Sequence, residues 1–109
     1  MTDHLSKRKC VPCRGDTPTL EDAKIAEYLG VVRGWKREGE TIKKTFSFLD
    51  FKAALVFINR IGEVAEVEDH HPDISLHNHK KVTLTFTTHS VHGLTENDFV
   101  MAAKVNAIS

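Results

Sequence analysis

The 109-residue sequence has no excess of charge of either sign, with 15 Lys and Arg against 15 Asp and Glu. Proteins that bind nucleic acid through a basic face depend on neutralising phosphates, so this balance argues against such a binder. No apolar run approaches the roughly 20 residues that a membrane span requires, and the first residues form no apolar signal core. We therefore expect a cytoplasmic protein that binds neither nucleic acid nor membrane.

Cysteine is scarce, which limits the metal and redox chemistry of the chain. Cys10 and Cys13 are its two cysteines, and a zinc ribbon would need a second such pair. They lie in a charged segment with Pro12, whereas a redox C-x-x-C motif is expected between a strand and a helix. We interpret the pair as structurally incidental, with a metal or disulfide role as the alternative.

Hydrophobic periodicity predicts an α+β fold in the order α-β-β-α-β-β-α, a four-stranded antiparallel sheet with three helices on one face. No Gly/Ser/Pro-rich linker divides the chain, so we expect an irregular N-terminal arm at 1–18 and a single domain at 19–109. The predicted elements are a helix capped by Thr19 and ended by Gly30, strands at 31–36 and 42–48, a helix from Asp50 to about Val67, strands at 74–77 and 82–87, and a helix capped by Thr95.

The longest predicted helix has more apolar positions than one sheet should cover. Seven small or apolar residues share one face, and three more widen it: Phe51, Ala54, Leu55, Ile58, Ile61, Gly62 and Ala65, then Val56, Phe57 and Val64. Either the helix is deeply buried or its second side meets another subunit. We favour the second interpretation and expect a homodimer or homotetramer, because near-zero net charge also promotes self-association.

Histidines are concentrated where the long helix and the last predicted strand end. His70 and His71 precede Pro72, and His89 follows the strand. An unperturbed histidine has a pKa of about 6.5 and can exchange protons near neutral pH. No phosphate-binding loop or nucleophile motif accompanies them, so the pattern favours general acid–base chemistry on a small molecule.

Other interpretations of these residues remain open. A histidine at a helix end can simply be stabilised by the helix dipole, and three histidines can hold zinc. His70, His71 and His89 form no HxH or HxxxH pair, so we expect no metal. Asp69 or Asp73 could orient an imidazole, and Asp98 could do so beside its expected capping box with Thr95.

Several motifs together resemble the pterin-4a-carbinolamine dehydratases. They are Asp69-His70-His71-Pro72-Asp73, Thr88-His89 and Gly93-Leu94-Thr95-Glu96-Asn97-Asp98-Phe99, with further similarity at Gly34-Trp35, 46–51 and Asn59-Arg60. The resemblance spans nearly everything from Leu20 to Ile108. It implies a four-stranded antiparallel sheet backed by three helices, in subunits that assemble as dimers or tetramers.

The resemblance also implies a reaction, the dehydration of 4a-hydroxytetrahydropterin to quinonoid dihydropterin without metal or cofactor. Its implied catalytic residues are His70, His71 and His89, and its implied substrate-binding residues are Asp69, Pro72, Asp73, Thr88, Ser90 and Asp98. We expect His70 and His89 to form the acid–base pair and His71 to position the substrate. The alternative is a non-catalytic dimerisation or coactivator-type protein-binding module of the same fold. More distant relatives that have become assembly factors tend to lose the histidines, which this chain retains.

Overall fold

The structure is a computed structural model that describes residues 5–12, 15 and 17–109. Its order α-β-β-α-β-β-α confirms the predicted α+β fold. The elements are α1 (Asp22–Leu29), β1 (Lys36–Glu38), β2 (Thr41–Ser47), α2 (Phe51–Glu68), β3 (Asp73–His77), β4 (Lys81–Phe86) and α3 (Glu96–Ile108), with short 3₁₀ helices at Leu5–Lys7 and His89–Val91. No helix in the described ranges is long and apolar enough to cross a membrane.

The four strands form one antiparallel sheet in the order β1-β2-β4-β3. Alternate residues of β2 and β4 are buried under the helices, with Ile42 opposite Phe86 and Phe46 opposite Val82. Asn78 and His79 join β3 to β4 with positive φ angles of 51° and 49°. Because His77 pairs with Lys81, the connection has three residues, 78–80. Positive φ angles are typical of such short hairpin loops, and Asn and His adopt them more readily than most residues.

Lys44 is the one position of β2 that breaks the apolar alternation, and it lies opposite Leu84 on the helix-covered side. Its ammonium reaches the margin of the core, where Nζ donates to the Arg33 carbonyl and to Asn106 Oδ1, both at 2.9 Å. Burial lowers the pKa of Lys44. A long apolar stem lets the residue cover the core while its charge remains near solvent.

Helix α2 begins as predicted, because the Asp50 carboxylate caps it by accepting from the Ala53 N–H at 2.8 Å. The predicted apolar face is wrong at Phe51 and Leu55, whose exposed fractions are 48% and 40%. Phe57 instead belongs to the core, where its ring packs against those of Phe46 in β2 and Phe48 just after it. The core face is therefore Ala54, Phe57, Ile61 and Ala65. These residues repeat every three or four positions, as one buried side of a helix requires.

Helix α1 ends where predicted, at Leu29 with Gly30 as its C-cap, but its predicted start is wrong. Glu21 precedes the helix without a side-chain cap, so Thr19 does not cap it. Gly30 has φ −69° and does not form the expected left-handed stop. A further turn follows, since the Val31 and Val32 N–H groups both donate to the Tyr28 carbonyl at 2.9 and 3.1 Å.

The first strand begins at Lys36 and not at residue 31, because this turn occupies part of the predicted strand. Gly34, at φ 83°, then redirects the chain. Trp35 is nevertheless buried, with 4% of its surface exposed. Its indole N–H donates to Asn106 Oδ1 at 3.1 Å.

Candidate active site

His70 is positioned by the way α2 ends. Asp69 adopts a left-handed conformation (φ 53°, ψ 44°), which Asp tolerates better than most residues. The N–H groups of Asp69 and His70 both point to the Ala65 carbonyl, which closes the last turn. The reversed chain brings the His70 ring parallel to Phe86, with centroids 6.0 Å apart and an interplanar angle of 8°.

The buried carboxylate of Asp98 holds His70 from behind. Its Oδ1 lies 2.7 Å from His70 Nε2, while Oδ2 accepts from the Thr88 hydroxyl at 2.8 Å and the Thr95 N–H at 3.0 Å. The contact with Thr95 belongs to the predicted capping box of α3. An ionised carboxylate only accepts hydrogen bonds, so it places the histidine proton on Nε2 and leaves Nδ1 as the nitrogen available to a ligand.

A short loop after β4 turns His89 outward. Thr88 and Gly93 pair across its base, with the Thr88 N–H donating to the Gly93 carbonyl at 3.0 Å. The Thr88 side chain is buried towards Asp98, whereas His89 begins the 3₁₀ helix His89–Val91 and is exposed. The loop ends at His92, which is left-handed with φ 58°.

The three predicted histidines line one cleft of about 260 Å³. Its lining is Val11, Asp69, His70, His71, Thr87, Thr88, His89, Ser90 and Asn97. His71 is half-exposed, and its Nε2 lies 2.6 Å from Glu66 Oε2. The volume is small for a ligand pocket, which suits a compact ligand. Imidazole, carboxylate and hydroxyl groups surround it, so the cleft can both bind polar atoms and move protons.

The remaining predicted site residues lie outside this lining. Pro72 is half-buried, and Asp73 is an exposed residue at the start of β3. Asp98 has no exposed surface and contacts the cleft through His70 and Thr88, which both line it. The carboxylates that bond the imidazoles are Asp98 and Glu66, whereas the sequence had pointed to Asp69 and Asp73 as well as Asp98.

Sequence reasoning missed four residues of the site: Val11, Glu66, Thr87 and Asn97. Glu66 is five positions before His71, a spacing that brings side chains together only because Asp69 reverses the chain. Asn97 is adjacent to the predicted Asp98 and could have been suspected on that ground. No sequence signal identifies Val11, and its neighbour Cys13 lies outside the described residues.

Two further features bear on which ligands the molecule could hold. Over the described ranges, no three His, Cys, Asp or Glu side chains are grouped so that they could hold a metal ion. A larger groove of about 380 Å³ lies between α2 and α3, beside Val64 and Ile108. It is mainly apolar and contains no histidine, so the histidine cleft is the better candidate for chemistry.

Fold and site together define a small α+β domain with an imidazole-lined cleft, and comparison with known proteins gives its family. Residues 18–108 match the family described as pterin 4 alpha carbinolamine dehydratase. The chain belongs to this family, as the sequence motifs predicted.

Relatives of nearly the same length carry the family name. Proteins of Nitrosospira multiformis and Aromatoleum aromaticum, each named "Putative pterin-4-alpha-carbinolamine dehydratase", are 38% and 40% identical to this chain. The matches cover 97% and 100% of this chain and 93% and 98% of the relatives. A crystal structure from Brucella melitensis, described as "transcriptional coactivator/pterin dehydratase", is 36% identical, with a TM-score of 0.78. The superposition covers 84% of this chain and 98% of that one.

Proposed function

We propose that this protein dehydrates a pterin-4a-carbinolamine to quinonoid dihydropterin in the histidine cleft, as a carbon–oxygen hydro-lyase. The C4a–O bond breaks and the oxygen leaves as water after it receives a proton. N5 loses a proton and the C4a=N5 double bond forms, so the reaction needs no oxidant or reductant. The observation that carries the proposal is the convergence of His70, His71 and His89 on one cleft in a chain of this family.

Their different surroundings suggest different roles for the two principal histidines. The His70 ring presents Nδ1 as the free acceptor, so we assign it the removal of the N5 proton. The Asp98 carboxylate stabilises the imidazolium that results. His89 is exposed and can regain protons from water, so we assign it the delivery of a proton to the 4a-oxygen. Each such group typically contributes about 10²- to 10⁴-fold to the rate.

The other predicted residues support this pair in different ways. His71, in contact with Glu66 at the mouth of the cleft, positions the substrate. Asp69 and Ser90 line the cleft and would bind polar edges of the pterin. We assign Thr88 to the positioning of His70, since it contacts the same carboxylate. Pro72 and Asp73, with no place in the lining, would act by fixing the chain after His71.

The proposal is tested by following the ultraviolet decay of 4a-hydroxytetrahydropterin with the purified protein. His70→Ala and His89→Ala should each lower turnover at least about 100-fold, with an unchanged circular dichroism spectrum. His77→Ala is the matched control, because His77 is an exposed strand residue whose ring contacts Thr83, away from the cleft. Turnover at the wild-type level in both cleft variants would reject the assignment.

We also propose that the protein self-associates as a homodimer or homotetramer through the outer side of α2. Four apolar residues are exposed there: Phe51, Leu55, Val56 and Val67. Exposed apolar surface of this kind commonly marks a protein–protein contact. Light scattering after size exclusion should give a multiple of the 12.3 kDa chain mass, and Leu55→Glu should lower it. A monomer at the highest soluble concentration would contradict this proposal.

The same surface could serve the alternative function of a protein-binding module. The Brucella melitensis structure, whose description includes "transcriptional coactivator", is the specific observation that favours it. The two functions separate by experiment, since a pure binding module would show no dehydration in the ultraviolet assay. Retention of turnover in Leu55→Glu would place the chemistry in the cleft independently of that surface.

A further inference from the structure

We propose that Val11, in the N-terminal arm, forms one wall of the cleft and contacts the bound pterin. The inference rests on the proposed function only for the identity of the ligand. It concerns a part of the chain that the family match, which starts at residue 18, does not include. The two relatives reported above match over 97% and 100% of this chain, so their similarity extends beyond the family match into this arm.

Val11 differs chemically from the rest of the cleft lining. The other lining side chains carry imidazole, carboxylate, hydroxyl or amide groups, whereas Val11 provides an isopropyl group. Its exposed fraction is 64%, so this apolar group is available to a ligand. A flat bicyclic ring has two apolar faces, and removing one of them from water favours binding.

The Asn97 side chain holds both polar groups of the Val11 backbone. The Asn97 amide accepts from the Val11 N–H at 2.9 Å and donates to the Val11 carbonyl at 2.6 Å. Both polar groups of the Val11 backbone are thus paired much as a neighbouring strand would pair them. Asn97 is itself buried, with 5% of its surface exposed, so the pairing is fixed before a ligand arrives.

A second contact holds the residue before Val11. The Cys10 N–H donates to Glu68 Oε1 at 2.8 Å. The Glu68 side chain is only 8% exposed, and its Oε2 lies 3.8 Å from Lys104 Nζ. Glu68 is the last residue of α2, immediately before Asp69 and His70. The arm is therefore attached to the same helix end that positions His70.

The arm is also anchored on both sides of this segment. Upstream, Leu5 is buried and Lys104 Nζ donates to the Ser6 carbonyl at 2.9 Å. Downstream, a Cβ on Gly15 would lie 4.0 Å from the Ser90 carbonyl, and the Leu20 N–H donates to the Leu94 carbonyl at 2.9 Å. Because Ser90 also lines the cleft, both Val11 and Gly15 lie beside it.

Two substitutions test separately the Val11 side chain that contacts the ligand and the Asn97 side chain that holds the Val11 backbone. Val11→Ser should raise KM for the carbinolamine about five- to tenfold, the loss expected for about 1 kcal/mol of apolar contact, with kcat within about twofold. Asn97→Ala should raise KM at least as much, because it releases the Val11 backbone. Val31→Ser is the matched control, since Val31 is a partly exposed valine in a turn away from the cleft, and it should change neither constant.

Limited trypsin digestion gives a readout independent of activity. Lys7, Arg8 and Lys9 precede the held segment, and cleavage after Lys9 requires Cys10 and Val11 to leave their partners. Asn97→Ala should accelerate that cleavage severalfold. Val11→Ser should not, because the Asn97 side chain bonds the backbone atoms of Val11, which we call the Asn97 clamp. Wild-type cleavage and KM in Asn97→Ala would overturn the proposed clamp.

Binding of 7,8-dihydrobiopterin, followed through the Val11 methyl resonances, separates this inference from the proposed function. Shifted resonances without turnover would support the wall and overturn the dehydratase assignment. Turnover with unshifted resonances and a wild-type KM in Val11→Ser would overturn the wall alone. If the protein shows neither turnover nor pterin binding, both the wall and the dehydratase assignment are overturned.

Discussion

Helix α3 carries a polar cluster near each of its ends, and the two clusters are built alike. Near its start, Asp98 receives hydrogen bonds from His70, Thr88 and Thr95. Near its end, Asn106 Oδ1 accepts from the Trp35 indole and the Lys44 ammonium at 3.1 and 2.9 Å. Its Nδ2 donates to the Arg33 carbonyl at 3.1 Å. Each cluster ties α3 to chain segments far away in sequence.

The difference between the clusters lies in what they can do with a proton. Asp98 is a carboxylate whose partner His70 has a second ring nitrogen at the cleft, so the cluster can support proton transfer. Asn106 is an amide that joins fixed donors and acceptors and has no proton to exchange near neutral pH. Similar hydrogen-bond geometry thus serves chemistry at one end of α3 and folding at the other.

Asp98→Asn should have the largest effect among the variants that test this comparison. It keeps the shape of the side chain but removes the charge that fixes the His70 tautomer, so turnover should fall about 10²- to 10⁴-fold. The measurement is the ultraviolet assay, with circular dichroism to establish folding. The reciprocal swap Asn106→Asp is the control, and it should leave turnover of the folded protein intact. Equal losses in both variants would mean that the clusters do not differ in function.

Asn106→Leu should have the next largest effect, and it should act on stability alone. The buried Trp35 N–H loses its acceptor and the Arg33 carbonyl loses one donor, which should cost about 2–3 kcal/mol in the free energy of unfolding. Urea denaturation measures this loss, and turnover per folded molecule should remain at the wild-type level. A large fall in turnover at temperatures where the variant is fully folded would break the assignment.

Thr88→Val sharpens the comparison within the first cluster. The substitution preserves shape but removes the hydroxyl that donates to Asp98, so we expect about 1 kcal/mol less stability and about tenfold lower turnover. Thr83→Val is the control, because its hydroxyl contacts Thr45 and His77 on the open face of the sheet. Identical kinetics in the two variants would show that Thr88 has no positioning role.

Lys44→Met should have the smallest effect, since Asn106 and the Arg33 carbonyl keep other partners; we expect a change within about 1 kcal/mol. Burial lowers the pKa of Lys44 in the folded state, so the unfolded chain binds more protons below its ordinary pKa of 10.5. Wild-type stability therefore gains from this group as pH rises towards that value. Urea unfolding at pH 7 and pH 10 should show a smaller gain in Lys44→Met, and an identical gain would contradict this account.

The fold and the histidines could be predicted from the sequence because strand alternation and helix caps depend only on neighbouring residues. Alternation in β4 and the caps Asp50 and Thr95 are visible in short windows of sequence. His70 precedes β3 and His89 follows β4, and the hairpin pattern brings these two strand ends together. The predicted first strand at 31–36 was wrong because a short apolar segment does not reveal the extra turn that follows Tyr28.

The rest of the site depends on contacts between distant segments, which no local pattern encodes. Val11 and Asn97 are 86 positions apart, and His70 and Asp98 are 28 apart. Asp98 was nevertheless selected, because its capping signal coincided with a family motif. Glu66 and Val11 carry neither kind of signal, so only the folded chain identifies them.

Because left-handed Asp69 ends α2 and turns the chain towards His70, the number of residues in that helix determines where the His70 ring lies. Each residue of an α-helix turns the chain by about 100°. A single insertion between Ala54 and Ala65 would therefore either move the buried side out of the core or swing His70 away from Asp98. The exposed turn at Asn78 and His79 has no buried side whose rotation must be kept. Variation in chain length is thus compatible with the hairpin and incompatible with the helix that aims the imidazole.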